Sequence, residues 1–261
     1  MVHSGNRESW MRASAIEFRL RMLINLIVIL LGFWAPWVEA RGASTGFASR
    51  IPLLEWLAIE LSRLGLVTFA VAAPVVIVVA ALLAAISAVL RVWGTAYLGA
   101  ATVQNMGMKG DAVVASGPYR YVRNPLYLGL WCMVAAMAFL MPPTGALVAM
   151  TLLTVFQLRL ILGEEAFLAS RLGEPYLAYV RAVPRLIPRL RTNLPPAGNK
   201  PRWLVALLSE LTAIGVFVSM AVLAWSYDHI LMIKGILIGF GLSLVARAFM
   251  IGQKTGEAGE A

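Results

Sequence analysis

Two short polar stretches in an otherwise apolar chain carry the residues able to do chemistry. The first, 116–129, reads Ser-Gly-Pro-Tyr-Arg-Tyr-Val-Arg-Asn-Pro-Leu-Tyr-Leu-Gly and sets Arg120, Arg123 and three tyrosines against the start of a hydrophobic run. A charged side chain beside lipid is costly unless it is solvated, paired or bound, so two arginines this close point to an anionic group held at a membrane surface. The second stretch is Glu164-Glu165, followed by Gly173-Glu-Pro-Tyr176-Leu-Ala-Tyr179. One tight hairpin of hydrophobic segments separates the two stretches, which predicts that they meet. Plainer readings exist for each part: topology marking or lipid headgroup binding for the arginines, belt positions for the tyrosines, and a solvated helix end for the acids. Their co-occurrence with Arg159 and Arg185 favours a site.

Other residues extend the pattern. Gln104 carries an amide that both donates and accepts, which suits a nucleobase edge, and the apolar run after Asp111, Ala112-Val113-Val114, could flank a flat ring. Asn124-Pro125 predicts a helix start with an Asn cap and a proline in the first turn, where free amide hydrogens and the positive dipole end can seat a carboxylate. Glu210 is the clearest acid inside a hydrophobic segment; pairing with Arg202 or with interfacial water is the plain expectation, a functional role the alternative. Asp228-His229 reads as a solvated outer turn. With a single cysteine, Cys132, and two histidines, His3 and His229, the sequence offers no disulfide framework and no zinc cluster.

These residues must be positioned by membrane helices. The chain has 261 residues, 60% of them hydrophobic and 13% charged, with a mean hydropathy of +0.79. Apolar stretches near the length needed to cross hydrocarbon lie at 21–38, 66–90, 126–141, 144–162, 204–225 and 230–250, predicting an all-α polytopic membrane protein of about six spans. Pro142-Pro143 makes the hairpin between the third and fourth. The net charge of +9 does not signal nucleic acid, because the basic residues sort by membrane side: only Arg41, Arg50, Arg63 and Lys234 fall outside when both termini are cytoplasmic. Residues 51–64 read as a short helix on the outer surface, 194–201 as a loop, and the tail from Gly252 as disordered. Three regions follow: 1–88 with two spans and the outer helix, 89–190 with the polar motifs, and 191–261 with the last two spans and the tail. The expected location is a bacterial inner membrane.

The motifs, in their order, resemble the isoprenylcysteine carboxyl methyltransferase family and its phospholipid methyltransferase relatives. The resemblance is carried by Val103-Gln104-Asn105, Val113-Val114-Ala-Ser-Gly117-Pro-Tyr119, Arg123-Asn124-Pro125-Leu126-Tyr127-Leu-Gly129, Glu164-Glu165-Ala-Phe-Leu168, and Leu172-Gly173-Glu-Pro-Tyr176-Leu-Ala-Tyr179, then Val183-Pro184-Arg185. It implies an integral membrane methyltransferase that binds S-adenosyl-L-methionine in a cytoplasmic-side cofactor pocket made by the ends of these helices, without a Rossmann domain, in accord with the lack of a Gly-x-Gly-x-x-Gly stretch. It further implies that Gln104, Asp111, Ala112, Val113, Val114 and Tyr119 contact the adenosyl part. Asn124, Pro125, Leu126 and Tyr127 line the methionine part beside Arg123 and Tyr176, and Glu164 holds the amino group or ribose. Arg159 is the nearest candidate for the acceptor-binding arginine. Asn124 stands where the family has histidine, which removes a general base at that position.

The acceptor implied is lipid-soluble or membrane-reached, isoprenylcysteine-carboxylate-like or phospholipid-like, with no nucleic acid and no metal as partner. Two alternatives stay open: an NADPH-dependent reductase of sterol-like lipids, which shares a similar Arg-His-Pro-type turn, and a non-catalytic membrane scaffold, which Asn124 would favour. Transport finds little support, since no broken helices in repeated halves are evident in the sequence.

Overall fold

The computed structural model describes residues 12–35, 47, 49–99, 115–192, 194, 195 and 198–257. All regular structure among them is helical: α1 Ala15–Arg19, α2 Arg21–Trp34, α3 Leu53–Arg63, α4 Phe69–Leu98, a 3-10 turn Gly117–Arg120, α5 Pro125–Ala138, α6 Pro143–Leu172, α7 Glu174–Ala182, α8 Trp203–Ser209, α9 Leu211–Ser226 and α10 His229–Glu257. Three of these, α4, α6 and the first 18 residues of α10, are long and apolar enough to cross a bilayer, and α8 with α9 makes a fourth if taken as one bent span. Leu, Val, Ile and Phe side chains stand exposed along all of them, as lipid-facing surfaces require. The chain is a multi-pass membrane protein.

Two of the expected spans are shorter than the hydropathy suggests. The first ends at Trp34 rather than 38, and the third is α5, 14 residues long. At about 1.5 Å per residue, α5 covers only some 21 Å, while its hairpin partner α6 runs for 30 residues past the Pro142-Pro143 reversal. That overshoot carries Glu164 and Glu165 beyond the hydrocarbon-length part of the hairpin, back to the turn that precedes α5.

The helices pack through small residues, the usual substitute inside a bilayer for a hydrophobic driving force. Along α4, Ala80 and Ala84 meet Met133 and Ala136 of α5 and Ala213, Val216 and Met220 of α9. A second cluster joins Val28 of α2 to Val134 of α5 and to Ala146, Ala149 and Leu153 of α6. Helix α2 crosses α6 so closely that a Cβ on Gly145 would stand 1.9 Å from the Gly32 carbonyl oxygen. The surface helix expected at 51–64 is α3; its first amides, Leu53 and Leu54, bond to the carbonyls of Met141 and Phe139 at the hairpin tip.

Three expectations need correction. The fifth span is broken: α8 and α9 bend by 69° at Glu210, whose carboxylate accepts from Arg91 and Thr95 of α4 and not from Arg202. The helix that starts at Asn124 lacks the side-chain cap; the Asn124 side chain is turned instead to donate through Nδ2 to Glu165 and the Arg185 carbonyl. Helix α10 continues to Glu257, past Gly252; Gln253, Lys254 and Glu257 are good helix formers. At its other end Asp228 caps the helix, its Oδ1 accepting from the Ile230 and Leu231 amides, each at 2.9 Å.

Candidate functional site

The two polar stretches do meet. The Tyr127 hydroxyl, in the first turn of α5, donates to Glu164 Oε2 at 2.9 Å. Glu164 and Tyr127 face each other because α6 overshoots its partner. Gly129 of α5 lets Arg91 of α4 pack close, since a Cβ there would lie 2.7 Å from Arg91 Cγ.

Glu165, the adjacent acid, points the other way and ties three segments together. Arg185 donates to it through Nε and Nη2, the latter at 2.8 Å, and the Asn124 amide donates to Glu165 Oε1 at 3.2 Å and to the Arg185 carbonyl at 3.2 Å. Arg123 Nη1 forms an ion pair with it at 3.6 Å, too long for a hydrogen bond. The Arg123 and Glu165 side chains are only 9% and 11% exposed, so the pair is well removed from water. Backbone bonds fix the same layer: the Arg123 amide donates to the Pro184 carbonyl and the Arg189 amide to the Tyr121 carbonyl.

Behind this clamp, Tyr176, Tyr179 and Val183 of α7 and its exit form a small core with Leu168 and Leu172. The Tyr179 hydroxyl donates to the Tyr119 carbonyl at 2.8 Å. Burial pushes the phenols of Tyr119, Tyr176 and Tyr179 up, with the Glu164 carboxylate adding to the effect at Tyr119 and the Tyr176 phenol at Tyr179. These hydroxyls therefore stay protonated donors. The Tyr119 hydroxyl and the Nε and Nη1 groups of Arg123 are buried without a hydrogen-bond partner. Buried polar groups left unpaired cost about 1–3 kcal/mol each, so such a cluster marks a place where a polar ligand can settle.

Other expected residues lie differently. Arg159 is paired with Glu17 of α1: its Nη2 reaches Glu17 Oε1 and Oε2, both at 3.0 Å, and its Nε reaches Oε1 at 3.2 Å. Hydrogen bonds from Arg159, and then the Ser14 amide, hold the Glu17 carboxyl below the ordinary glutamate range. Pro125 and Leu126 begin α5 as expected, with Leu126 packed near Gly94 of α4. Gln104, Asp111, Ala112, Val113 and Val114 lie outside the described residues.

Beside Tyr127 and Glu164 opens a cavity of about 430 Å³, whose lining includes Arg21, Asn25, Arg91 and Ser243 along with a largely apolar wall. Arg159 is not among its lining side chains. Arg21 and Arg91 read in the sequence as topology-marking charges. An available signal was the position of Arg91 within a 30-residue apolar helix, two turns before its end.

A family model described as phospholipid methyltransferase matches residues 75–174. No curated protein matches the chain, and no solved structure does. The matched segment, well under half of the chain, runs from α4 through the Arg-Asn-Pro turn, the α5–α6 hairpin and both glutamates to the start of α7. Over that segment the chain is similar to phospholipid methyltransferases, and the match supports a methyltransferase held in the membrane.

Proposed function

We propose that this protein transfers the methyl group of S-adenosylmethionine to a lipid-soluble or membrane-reached acceptor, isoprenylcysteine-carboxylate-like or phospholipid-like, with the donor bound on the cytoplasmic side. The observation that carries the reading is the hydrogen bond between Tyr127 and Glu164, which joins the two motif stretches, both residues lining a largely apolar cavity.

The unpartnered groups fit such a donor. Arg123 Nε and Nη1 suit the methionine carboxylate and the Tyr119 hydroxyl suits a ribose or base heteroatom, while Glu164, whose Oε2 accepts from Tyr127, suits the amino group. Gln104 and the stretch from Asp111 to Val114 complete the adenosyl side in this reading, with Asn124, Pro125 and Leu126 along the methionine side and Tyr176 behind. The donor supplies an activated methyl group on a sulfonium, which is transferred by in-line displacement. The protein's share is to orient the two reactants and to exclude water. Asn124 holds no titratable proton and its amide is committed to Glu165 and the Arg185 carbonyl. The acceptor is accordingly one that is nucleophilic as bound, such as a carboxylate.

Calorimetric titration with S-adenosylhomocysteine tests the proposal, with NADPH as the competing ligand. Binding of the former, weakened in Glu164→Ala and Tyr127→Ala while thermal unfolding stays cooperative, supports it. Equal affinity in all three proteins, or preference for NADPH, rejects it.

A further inference from the structure

The cavity is walled by residues of α1, α2, α4, α5, α6, α9 and α10, so the helices on both sides of the matched segment contribute to it. Leu26, Ile29, Leu130, Met133 and Leu244 make its wall apolar. An apolar pocket of this kind needs no polar lining, yet two buried polar atoms in it, Asn25 Oδ1 and Ser243 Oγ, have no hydrogen-bond partner. Asn25 is 7% and Ser243 1% exposed, so neither atom is served by bulk water. Unsatisfied polar atoms in an apolar cavity point to a ligand that brings polar groups of its own.

Three charged side chains line it, Glu164 at the donor side and the cations Arg91 and Arg21, and the two cations say which kind. Arg91 Nε donates to Glu210 Oε2 at 2.6 Å, and Thr95 Oγ1 donates to Glu210 Oε1 at 2.7 Å. Both oxygens of a carboxylate that is 2% exposed are thus committed to α4. Glu210 sits at the 69° break between α8 and α9, so the break is what delivers the acid to Arg91. An arginine held by one edge keeps its terminal N–H groups for a second anion, and those of Arg91 form no hydrogen bond among the described residues. Arg21 lines the same cavity, with Nη1 on the Phe18 carbonyl at 3.1 Å and its guanidinium 4.2 Å from the centre of the Phe18 ring.

We propose that this cavity binds the acceptor as an amphiphile with an anionic head group, the head group held by Arg91 and Arg21 and the hydrocarbon lying along the apolar wall. Glu210 is the positioning residue that fixes Arg91. The inference deepens the function proposed above and rests on it for the identity of the cavity's occupant as the methyl acceptor. Helices α8, α9 and α10 gain a role from it, since they supply the acid that aims the arginine and part of the wall.

The test uses the full chain in neutral maltoside micelles, with a pyrene-labelled long-chain fatty acid, the matching fatty alcohol and inorganic phosphate as probes. The native protein should bind the acid about tenfold or more tightly than the alcohol, the scale of one charge-assisted contact, and phosphate alone should not displace it. Arg91→Gln should cut the preference severalfold, with Arg21 keeping the remainder, while leaving alcohol affinity unchanged. Glu210→Ala should reduce the preference and Glu210→Gln, which keeps an acceptor for Arg91, should restore most of it; a purely structural role would lower both affinities together. Undiminished preference in Arg91→Gln, no preference in the native protein, or displacement by phosphate would overturn the proposal. S-adenosylhomocysteine binding by the native protein and Arg91→Gln is measured alongside. If it is absent in both while the lipid preference holds, the donor assignment fails and the lipid site stands.

Discussion

Tyr127 donates its hydroxyl to Glu164 across the gap between two helices that leave the same hairpin, at 2.9 Å. The two residues are 37 positions apart, and only the different lengths of α5 and α6 bring them level. A hydrogen bond to a charged group contributes about 1.5–3 kcal/mol, so Tyr127→Phe should cost about tenfold or more in S-adenosylhomocysteine affinity. Glu164→Gln should cost a similar factor, and the double variant less than the product of the two, because both remove the same contact. Calorimetry on the four proteins gives the coupling directly. Additive losses would mean that Tyr127 and Glu164 contact the ligand independently.

Glu165 should matter for stability more than for ligand binding. Its carboxylate is the common acceptor for Arg185 and Asn124 and the counter-ion of Arg123, whose side chain is 9% exposed. Removing one partner of a buried ion pair typically costs about 3–5 kcal/mol, because the other charge stays buried. Glu165→Ala should lower the unfolding temperature in detergent by several degrees. Asn124→Asp, which places a second carboxylate about where the amide now donates, should do the same, and Asn124→Gln should not. An unfolding temperature unmoved by Glu165→Ala would show that Arg123 is solvated after all.

How much of this was legible in the sequence depended on distance along the chain. The meeting of the Arg-Asn-Pro turn with the paired acids followed from motif spacing and one proline hairpin, and the surface helix followed from its own pattern of acids and bulky apolar residues. The partner of Glu210 did not, because Arg91 lies 119 positions away and nothing local favours it over Arg202. The break at Glu210 was equally hidden: hydropathy sums over a window, and the apolar residues on both sides keep the sum high whatever the backbone does. Asn124 misled for another reason. Asparagine before a proline is a good cap by local preference, yet two acceptors brought by distant segments, Glu165 and the Arg185 carbonyl, take its amide instead.

The Glu17–Arg159 pairing makes the seating of α1 pH-dependent. Ser14 and Glu17 form a reciprocal capping box, and the same carboxylate accepts three hydrogen bonds from Arg159 on α6. Its folded pKa is depressed, chiefly by Arg159, so the stabilisation is present in full above the ordinary glutamate value of about 4.3 and is lost as pH falls through the lower folded value. Limited proteolysis of the N-terminal segment should therefore stay slow from neutral pH down to about 5 and accelerate below about 4. Glu17→Gln should proteolyse faster at neutral pH and show no such acceleration. A cleavage rate independent of pH in the native protein would mean that the Ala13 amide bond to the Arg159 carbonyl and the buried Phe18 seat the helix without the charge pair.

Close packing of α2 on α6 gives the sharpest contrast between two glycines. At Gly145 an added Cβ would lie 1.9 Å from the Gly32 carbonyl oxygen and 3.0 Å from Ala35 Cβ, and backbone cannot yield as a side chain can. At Gly241 of α10 it would meet nothing within 4 Å. Gly145→Leu must push α2 away and open the cluster of Val28, Ala146 and Ala149, at a cost of about 1–3 kcal/mol or more. Gly241→Ala only replaces a poor helix former by a good one, worth about 0.5–1 kcal/mol in the opposite direction. Because α2 also walls the cavity through Asn25, Leu26 and Ile29, Gly145→Leu should lose fatty-acid and fatty-alcohol affinity together while Gly241→Ala keeps both. Thermal unfolding and the pyrene titration on the two variants check this, and native-like behaviour of Gly145→Leu in both would show that α2 does not seat against α6 as described.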